Sequence, residues 1–110
     1  MTQPQKKSRR EMLEEFANAH PNDPFARYGL AMECVNQGDN DAAIANFEKL
    51  LTDHPTYVSG YQMYGQLLAR ISRSDKAREI LLSGIQAARG AGNQHAAEEM
   101  EAALALLEPA

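Results

Sequence analysis

The chain has a single cysteine, no tryptophan and only 6% aromatic residues among its 110 positions. A lone thiol, Cys34, excludes an internal disulfide and leaves no Cys/Cys or Cys/His pair at the spacing of a zinc site. Apolar runs are short. None approaches the roughly 20 residues needed to cross a bilayer, and the first ten residues, MTQPQKKSRR, carry charge where a secretory leader needs an apolar stretch. Basic residues are the minority, eleven against fifteen acidic, for a net charge of -4 and a pI near 5.3. That balance argues against nucleic-acid phosphate as the main partner. Neither a nucleic-acid nor a membrane partner is expected, and the chain reads as cytoplasmic. Val, Ile and Thr are sparse, and no stretch of five residues alternates apolar with polar, so no sheet is expected.

What is present is a chain of 110 residues, 44% apolar and 24% charged, the makings of one globular domain with its own core. Turn signals divide it at short intervals: His20-Pro21-Asn22-Asp23-Pro24, Gly38-Asp39-Asn40, His54-Pro55-Thr56, Ser72-Arg73-Ser74 and Gly90-Ala91-Gly92-Asn93. In the six segments around these signals apolar residues recur every three or four positions, as in Ala43, Phe47, Leu50, Leu51 or Ala77, Leu81, Ile85. Each segment is expected to be a helix. Asp23, Asn40, Thr56, Ser74 and Asn93 precede periodic runs and can cap free N–H groups, with Pro24 suited to a first helical turn. The first helix starts either at Ser8, which has capping-box spacing to Glu11, or earlier, at Thr2 with Pro4 and Gln5.

A shift of thirty-four residues superposes His20-Pro21 on His54-Pro55, Ala31 on Gly65, Ala43 on Ala77, Phe47 on Leu81 and Leu51 on Ile85. Small lies on small and large on large. The same shift carries Leu13 onto Phe47 and Phe16 onto Leu50, so the first helix reads as the second half of a unit that lacks its first half. The second unit, with Tyr61, Tyr64, Gly65, Leu68, Ala77 and Leu81, and the first, with Arg27, Leu30, Ala31, Cys34, Ala43, Phe47 and Pro55, resemble the tetratricopeptide repeat. Arg27 and Cys34 depart from the aromatic residues of that pattern. The resemblance implies an all-α, right-handed superhelical stack of about six helices. It divides into a half-unit at 1–20, repeats at 24–55 and 56–89, and a capping helix at 93–108. Two units fall short of the three or so that a stable stack needs, so the terminal helix is expected to be structurally necessary through Leu104 and Leu107.

The resemblance also implies a function. The inner surface of such a stack is built from the first helix of each hairpin, which here carries Phe25, Tyr28, Met32, Val35 and Asn36, then Ser59, Gln62, Gln66, Ala69 and Arg70. An apolar set followed by a polar set with one guanidinium suits a short amphipathic peptide or helix with a carboxylate near Arg70. Phe25, Tyr28 and Met32 read equally well as core. The clamp that grips acidic chaperone C-termini is not matched, because Tyr28, Met32, Ser59 and Met63 stand where it needs other residues.

No catalytic constellation is present. His20 and His54 are repeat equivalents, His95 stands alone, Cys34 takes an apolar repeat position, and Glu14-Glu15 and Glu98-Glu99 point to different sides of their helices. Gly90 and Gly92 lack the Lys-Ser/Thr of a phosphate loop. The chain is therefore expected to be a non-catalytic scaffold that needs no cofactor or metal and binds a protein or peptide. Homo-oligomerisation through the stack ends is the alternative. Lys6, Lys7, Arg9 and Arg10 load one end and Glu98, Glu99, Glu101 and Glu108 the other, and Arg70, Arg73, Lys76 and Arg78 surround the second unit's turn.

Overall fold

The structure, a computed structural model, describes residues 6–107. The alternative helix start at Thr2, Pro4 and Gln5, and Glu108 with the end of the expected capping helix, lie outside these residues. Six α-helices follow in order: α1 (Arg9–Ala19), α2 (Pro24–Asn36), α3 (Asn40–Asp53), α4 (Val58–Arg70), α5 (Ser74–Gly90) and α6 (Gln94–Ala105). There is no strand among the described residues. The stack measures 58 × 28 × 20 Å, and its radius of gyration of 15.5 Å exceeds the about 13 Å of a compact domain this long, as expected when most helix contacts are between successive helices.

Two kinds of turn join the helices. After α1 and α3, the N–H groups of His20 and His54 close on the Phe16 and Leu50 carbonyls at 3.0 and 2.8 Å, and the following proline stops the helix. After α2 and α4, a residue with positive φ reverses the chain: Gly38 at 74° and Ser72 at 63°. The next N–H then bonds back five residues, Asp39 to the Cys34 carbonyl at 3.0 Å and Arg73 to that of Leu68 at 2.8 Å. The sequence suggests that the Gly90–Asn93 turn is longer than these, but the structure corrects this. Gly90 belongs to α5, Gly92 takes the positive φ of 71°, and Asn93 bonds to the Ala88 carbonyl at 2.8 Å, so the turn has the same build as the other two.

Ser8 and Glu11 form the reciprocal capping box, and Asp23 and Asn93 accept from Phe25 and Ala96. Asn40 is not a cap. Asp39 takes that place, accepting from the Ala42 N–H at 3.2 Å, while Arg10 donates to its carboxylate at 2.8 Å. Those two hydrogen bonds, the arginine's first, hold the Asp39 carboxyl below its ordinary pKa. Thr56 and Ser74 do not cap either. Tyr57 and Arg73 occupy those positions and provide no side-chain cap, because the turns end one residue away from each hydroxyl.

Packing is small on large throughout. A β-carbon at Gly65 would lie 2.5 Å from Leu81 Cδ2, and one at Gly60 would lie 2.9 Å from both Leu50 and Leu51. In the first hairpin Ala31, Ala43 and Phe47 are wholly buried in the matching places. The Phe47 and Tyr64 rings stack at 5.3 Å and join α3 to α4. Helix α6 is seated mainly by Ala96, Ala97 and Met100, which are buried, whereas the expected anchors Leu104 and Leu107 are only half-buried. Met100 takes the central role because it meets Gly84 of α5, where a β-carbon would lie 2.6 Å from its sulfur and 2.5 Å from Tyr61 Cβ.

Ser72 is the only described residue other than glycine with positive φ, a conformation that strains an L residue by about 1–2 kcal/mol. Ser72→Gly is therefore expected to raise stability by a net of about 0.5–1 kcal/mol once glycine's larger unfolded-state entropy is counted. Denaturant melts check this, and a destabilised variant would contradict it.

Candidate functional site

The residues assigned to the inner surface lie along one side of α2 and one side of α4, away from the helix each packs against in its hairpin. On α2, Phe25 is 70% exposed, Tyr28, Met32 and Val35 are half-buried against the core, and Asn36 is exposed. The Tyr28 ring meets Tyr57, in the turn before α4, with centroids 5.4 Å apart. Phe25 thus stands largely in solvent, whereas Tyr28 and Met32 are partly used in packing. On α4, Ser59, Gln66, Ala69 and Arg70 are exposed, and Gln62 is half-buried.

Helix α6 runs beside α4. Gln62 Nε2 donates to Glu99 Oε2 at 3.1 Å, and Glu99 also receives His95 at 2.6 Å. Further along, Leu106 and Leu107 border a hollow of about 250 Å³ with Ala69, Ser72 and Ser74. A second, more open hollow of about 440 Å³ follows the α4–α5 turn from Ser72 to Lys76. These hollows adjoin the α4–α5 turn and not the Tyr28–Met32 side of α2. The Arg70, Arg73 and Lys76 cluster was the sequence signal for this region, but the leucine wall from α6 was hidden because α6 falls outside the thirty-four-residue register.

The other candidate groups are occupied structurally. Cys34 is buried, its thiol pKa pushed up chiefly by that burial, and Asn46 approaches its sulfur at 3.9 Å. His20 Nδ1 lies 3.0 Å from the Phe16 carbonyl. Glu98 receives Gln94, and Arg89 pairs with Glu101. At the other end Lys7 pairs with Glu15, Arg9 with Glu33, and Arg10 with Glu14 and Asp39, so the basic terminus is largely neutralised from within. No group of three or more His, Cys, Asp or Glu is placed to hold a metal ion, and no helix is long and apolar enough to cross a membrane, among the described residues.

Paired antiparallel helices with equivalent small-on-large contacts define an α-hairpin solenoid, and comparison with known proteins assigns its family. The sequence profile of the tetratricopeptide repeat matches residues 35–100, from the end of α2 to Met100 of α6. The solution structure of a tetratricopeptide repeat domain protein from Salinibacter ruber is 38% identical, over 76% of this chain and 85% of that one, with a TM-score of 0.72. A crystal structure from the same organism gives 38% identity, 74% and 92% coverage, and a TM-score of 0.70. The chain belongs to the tetratricopeptide repeat family. A Bordetella parapertussis protein of known solution structure is similar in fold, with a TM-score of 0.75, 24% identity, and 90% and 86% coverage. The comparison with curated proteins finds no match. Tetratricopeptide repeats generally mediate protein–protein interaction and are generally non-catalytic.

All four tyrosines hold their protons above the ordinary value. Tyr64 does so most, because it is buried and its hydroxyl donates to Glu48 Oε1 at 2.6 Å; burial is the main cause for Tyr28, Tyr57 and Tyr61. Unfolded tyrosines ionise near 10, so this stability is fully present below about pH 10 and declines as the pH rises further. Phenolate absorbance is expected to appear together with helix loss on alkaline titration, and Tyr64→Phe to move that midpoint upward. Phenolate formation with helicity intact would contradict this.

Proposed function

We propose that the chain is a non-catalytic adaptor that binds a peptide or helix of a partner protein along α2 and α4. The observation that carries this reading is Phe25, a large aromatic left 70% exposed at the start of α2, continued by the half-buried Tyr28 and Met32. An apolar strip of this kind is costly to leave in water and suits the apolar face of an amphipathic segment. Gln66 and Arg70 on α4 supply exposed polar ends for its other side. We place the recognition unit in the two hairpins α2/α3 and α4/α5, with α1 and α6 closing the stack.

End-to-end pairing of copies is the competing reading, favoured by the exposed Met12 and Phe16 on α1. The charges at the two ends oppose it, because Arg9 and Arg10 pair with Glu33 and Asp39, and Glu101 pairs with Arg89, within the chain. Light scattering is expected to show an unchanging mass near 12.1 kDa as concentration rises.

Affinity capture with the full chain, compared with a Tyr28→Ala/Met32→Ala variant of unchanged helicity, tests the binding surface. At least one captured protein is expected to fall about tenfold or more, since apolar anchors carry most of such binding. An identical catch from both baits would remove the proposed surface.

A further inference from the structure

The second helix of each hairpin repeats three core positions. Asn46, Phe47 and Leu50 of α3 correspond, thirty-four residues on, to Ile80, Leu81 and Gly84 of α5. These positions are closed in both hairpins: all are buried except Asn46, which is half-buried. The preceding helix closes them. Arg27 of α2 donates to Asn46 at 3.0 Å, and on α4 Gly65 and Tyr61 meet Leu81 and Gly84. The same positions on α1 are Met12, Leu13 and Phe16, and they are open, with Met12 53% and Phe16 46% exposed and Leu13 half-buried. No described helix precedes α1. Helix α2 packs on its other side, where a β-carbon at Gly29 would lie 3.8 Å from Leu13 Cδ2.

We propose that this face of α1 seats one helix of a partner protein, lying antiparallel to α1 and built like α2, with a small residue opposite Leu13. The molecule itself shows what fits, because it fills the equivalent seat twice, each time with a helix of 13 residues. Its own α2 is the nearer pattern, since α1 and α3 present three sizeable side chains where α5 has Gly84. To these α2 offers Ala31, the counterpart of the Gly65 that receives Leu81, and the long side chain of Arg27. Charge fits the same direction. Because Tyr61 meets Gly84 and Gly65 meets Leu81, a helix in the seat begins near Ala19 and ends near Arg9. Arg9 then stands beside the open carbonyls of the occupant's last turn, and Glu15 lies toward its N-terminal half, each the favourable sign for a helix dipole. Both are exposed, and surface pairs such as theirs with Glu33 and Lys7 cost little to loosen. A second copy of the chain offers no such helix: its α2 and α4 are closed against α3 and α5, and its α6 carries the exposed Gln94, His95, Glu98 and Glu99. The seat stands apart from the α2 and α4 surface of the proposed adaptor.

The test is a nuclear magnetic resonance titration of the 15N-labelled full chain with a synthetic peptide of residues 23–37 carrying Cys34→Ala, which keeps the Asp23 cap and Pro24. Amide shifts are expected to move along residues 12–19. Affinity should drop about tenfold when the peptide also carries Ala31→Leu, and about tenfold for the Met12→Gln/Phe16→Gln chain, whose helix content is checked by circular dichroism. Arg9→Gln should weaken binding about threefold. The Ala31→Leu peptide decides the matter on the unaltered chain, whatever the double variant does to folding. No movement along α1 with millimolar peptide, equal binding of the Ala31→Leu peptide, or undiminished binding by a folded double variant would overturn the proposal. Shifts at Tyr28 and Met32 without α1 would assign the peptide to the inner surface and remove the seat. A mass that doubles from 12.1 kDa with concentration, and stays single for Met12→Gln/Phe16→Gln, would give the seat to a second copy and remove the partner helix.

Discussion

The structure depends on one missing side chain. At Gly84, in the middle of α5, Tyr61 of α4 and Met100 of α6 both close to where a β-carbon would stand, at 2.5 and 2.6 Å. Helix α5 can therefore serve two hairpins at once: its Leu81 fills the gap left by Gly65 on α4, while its own Gly84 admits the large residue of α6. A chain with only two complete repeat units gains a third layer in this way, which compensates for the small number of units. Helix α5 is also the longest, at 17 residues, and the turn after it is built with a positive-φ glycine and not with the His-Pro pair that follows α1 and α3.

Polar ties fix how the hairpins lie on one another. Glu48 of α3 accepts the buried Tyr64 hydroxyl of α4 and lies 3.7 Å from Lys76 of α5, so one carboxylate spans three helices. Tyr61 donates to the Pro55 carbonyl at 2.8 Å, tying α4 back to its own approach turn. Arg9 and Arg10 bind α1 to Glu33 and to the Asp39 cap. With so many charges used internally, the proposed binding surface rests on the apolar strip on α2 and the exposed polar residues of α4.

The helical class, the number of helices and the hairpin core were legible because they follow from period and size, which a thirty-four-residue shift exposes directly. Ala31, Ala43, Phe47, Gly65, Ala77 and Leu81 are all buried as that shift requires. The seating of α6 was less legible. Its contacts depend on Gly84, which reads as an ordinary small residue until the third helix is in place, and so the weight was assigned to Leu104 and Leu107 in place of Met100. Helix starts were off by one residue where a turn geometry, and not a capping side chain, decided the boundary, as at Ser72-Arg73-Ser74. For the proposed binding surface, the sequence pattern pointed to residues that the fold carries on α2 and α4, but the hollow beside Leu106 and Leu107 requires knowing that α6 runs along α4.

Comparing the stabilities of Gly84→Ala and Gly90→Ala is the most direct test of the shared-helix account, because both glycines lie in α5 and a β-carbon at Gly90 would meet nothing within 4 Å. The account predicts that Gly84→Ala lowers unfolding free energy by about 1–3 kcal/mol, since Tyr61 Cβ cannot withdraw without moving α4, and the Met100 side chain must leave its place against α5. Gly90→Ala is predicted to leave stability unchanged or raise it by up to about 1 kcal/mol through helix propensity. Equal effects at the two positions, or a stabilised Gly84→Ala protein, would show that α4, α5 and α6 do not converge on that glycine.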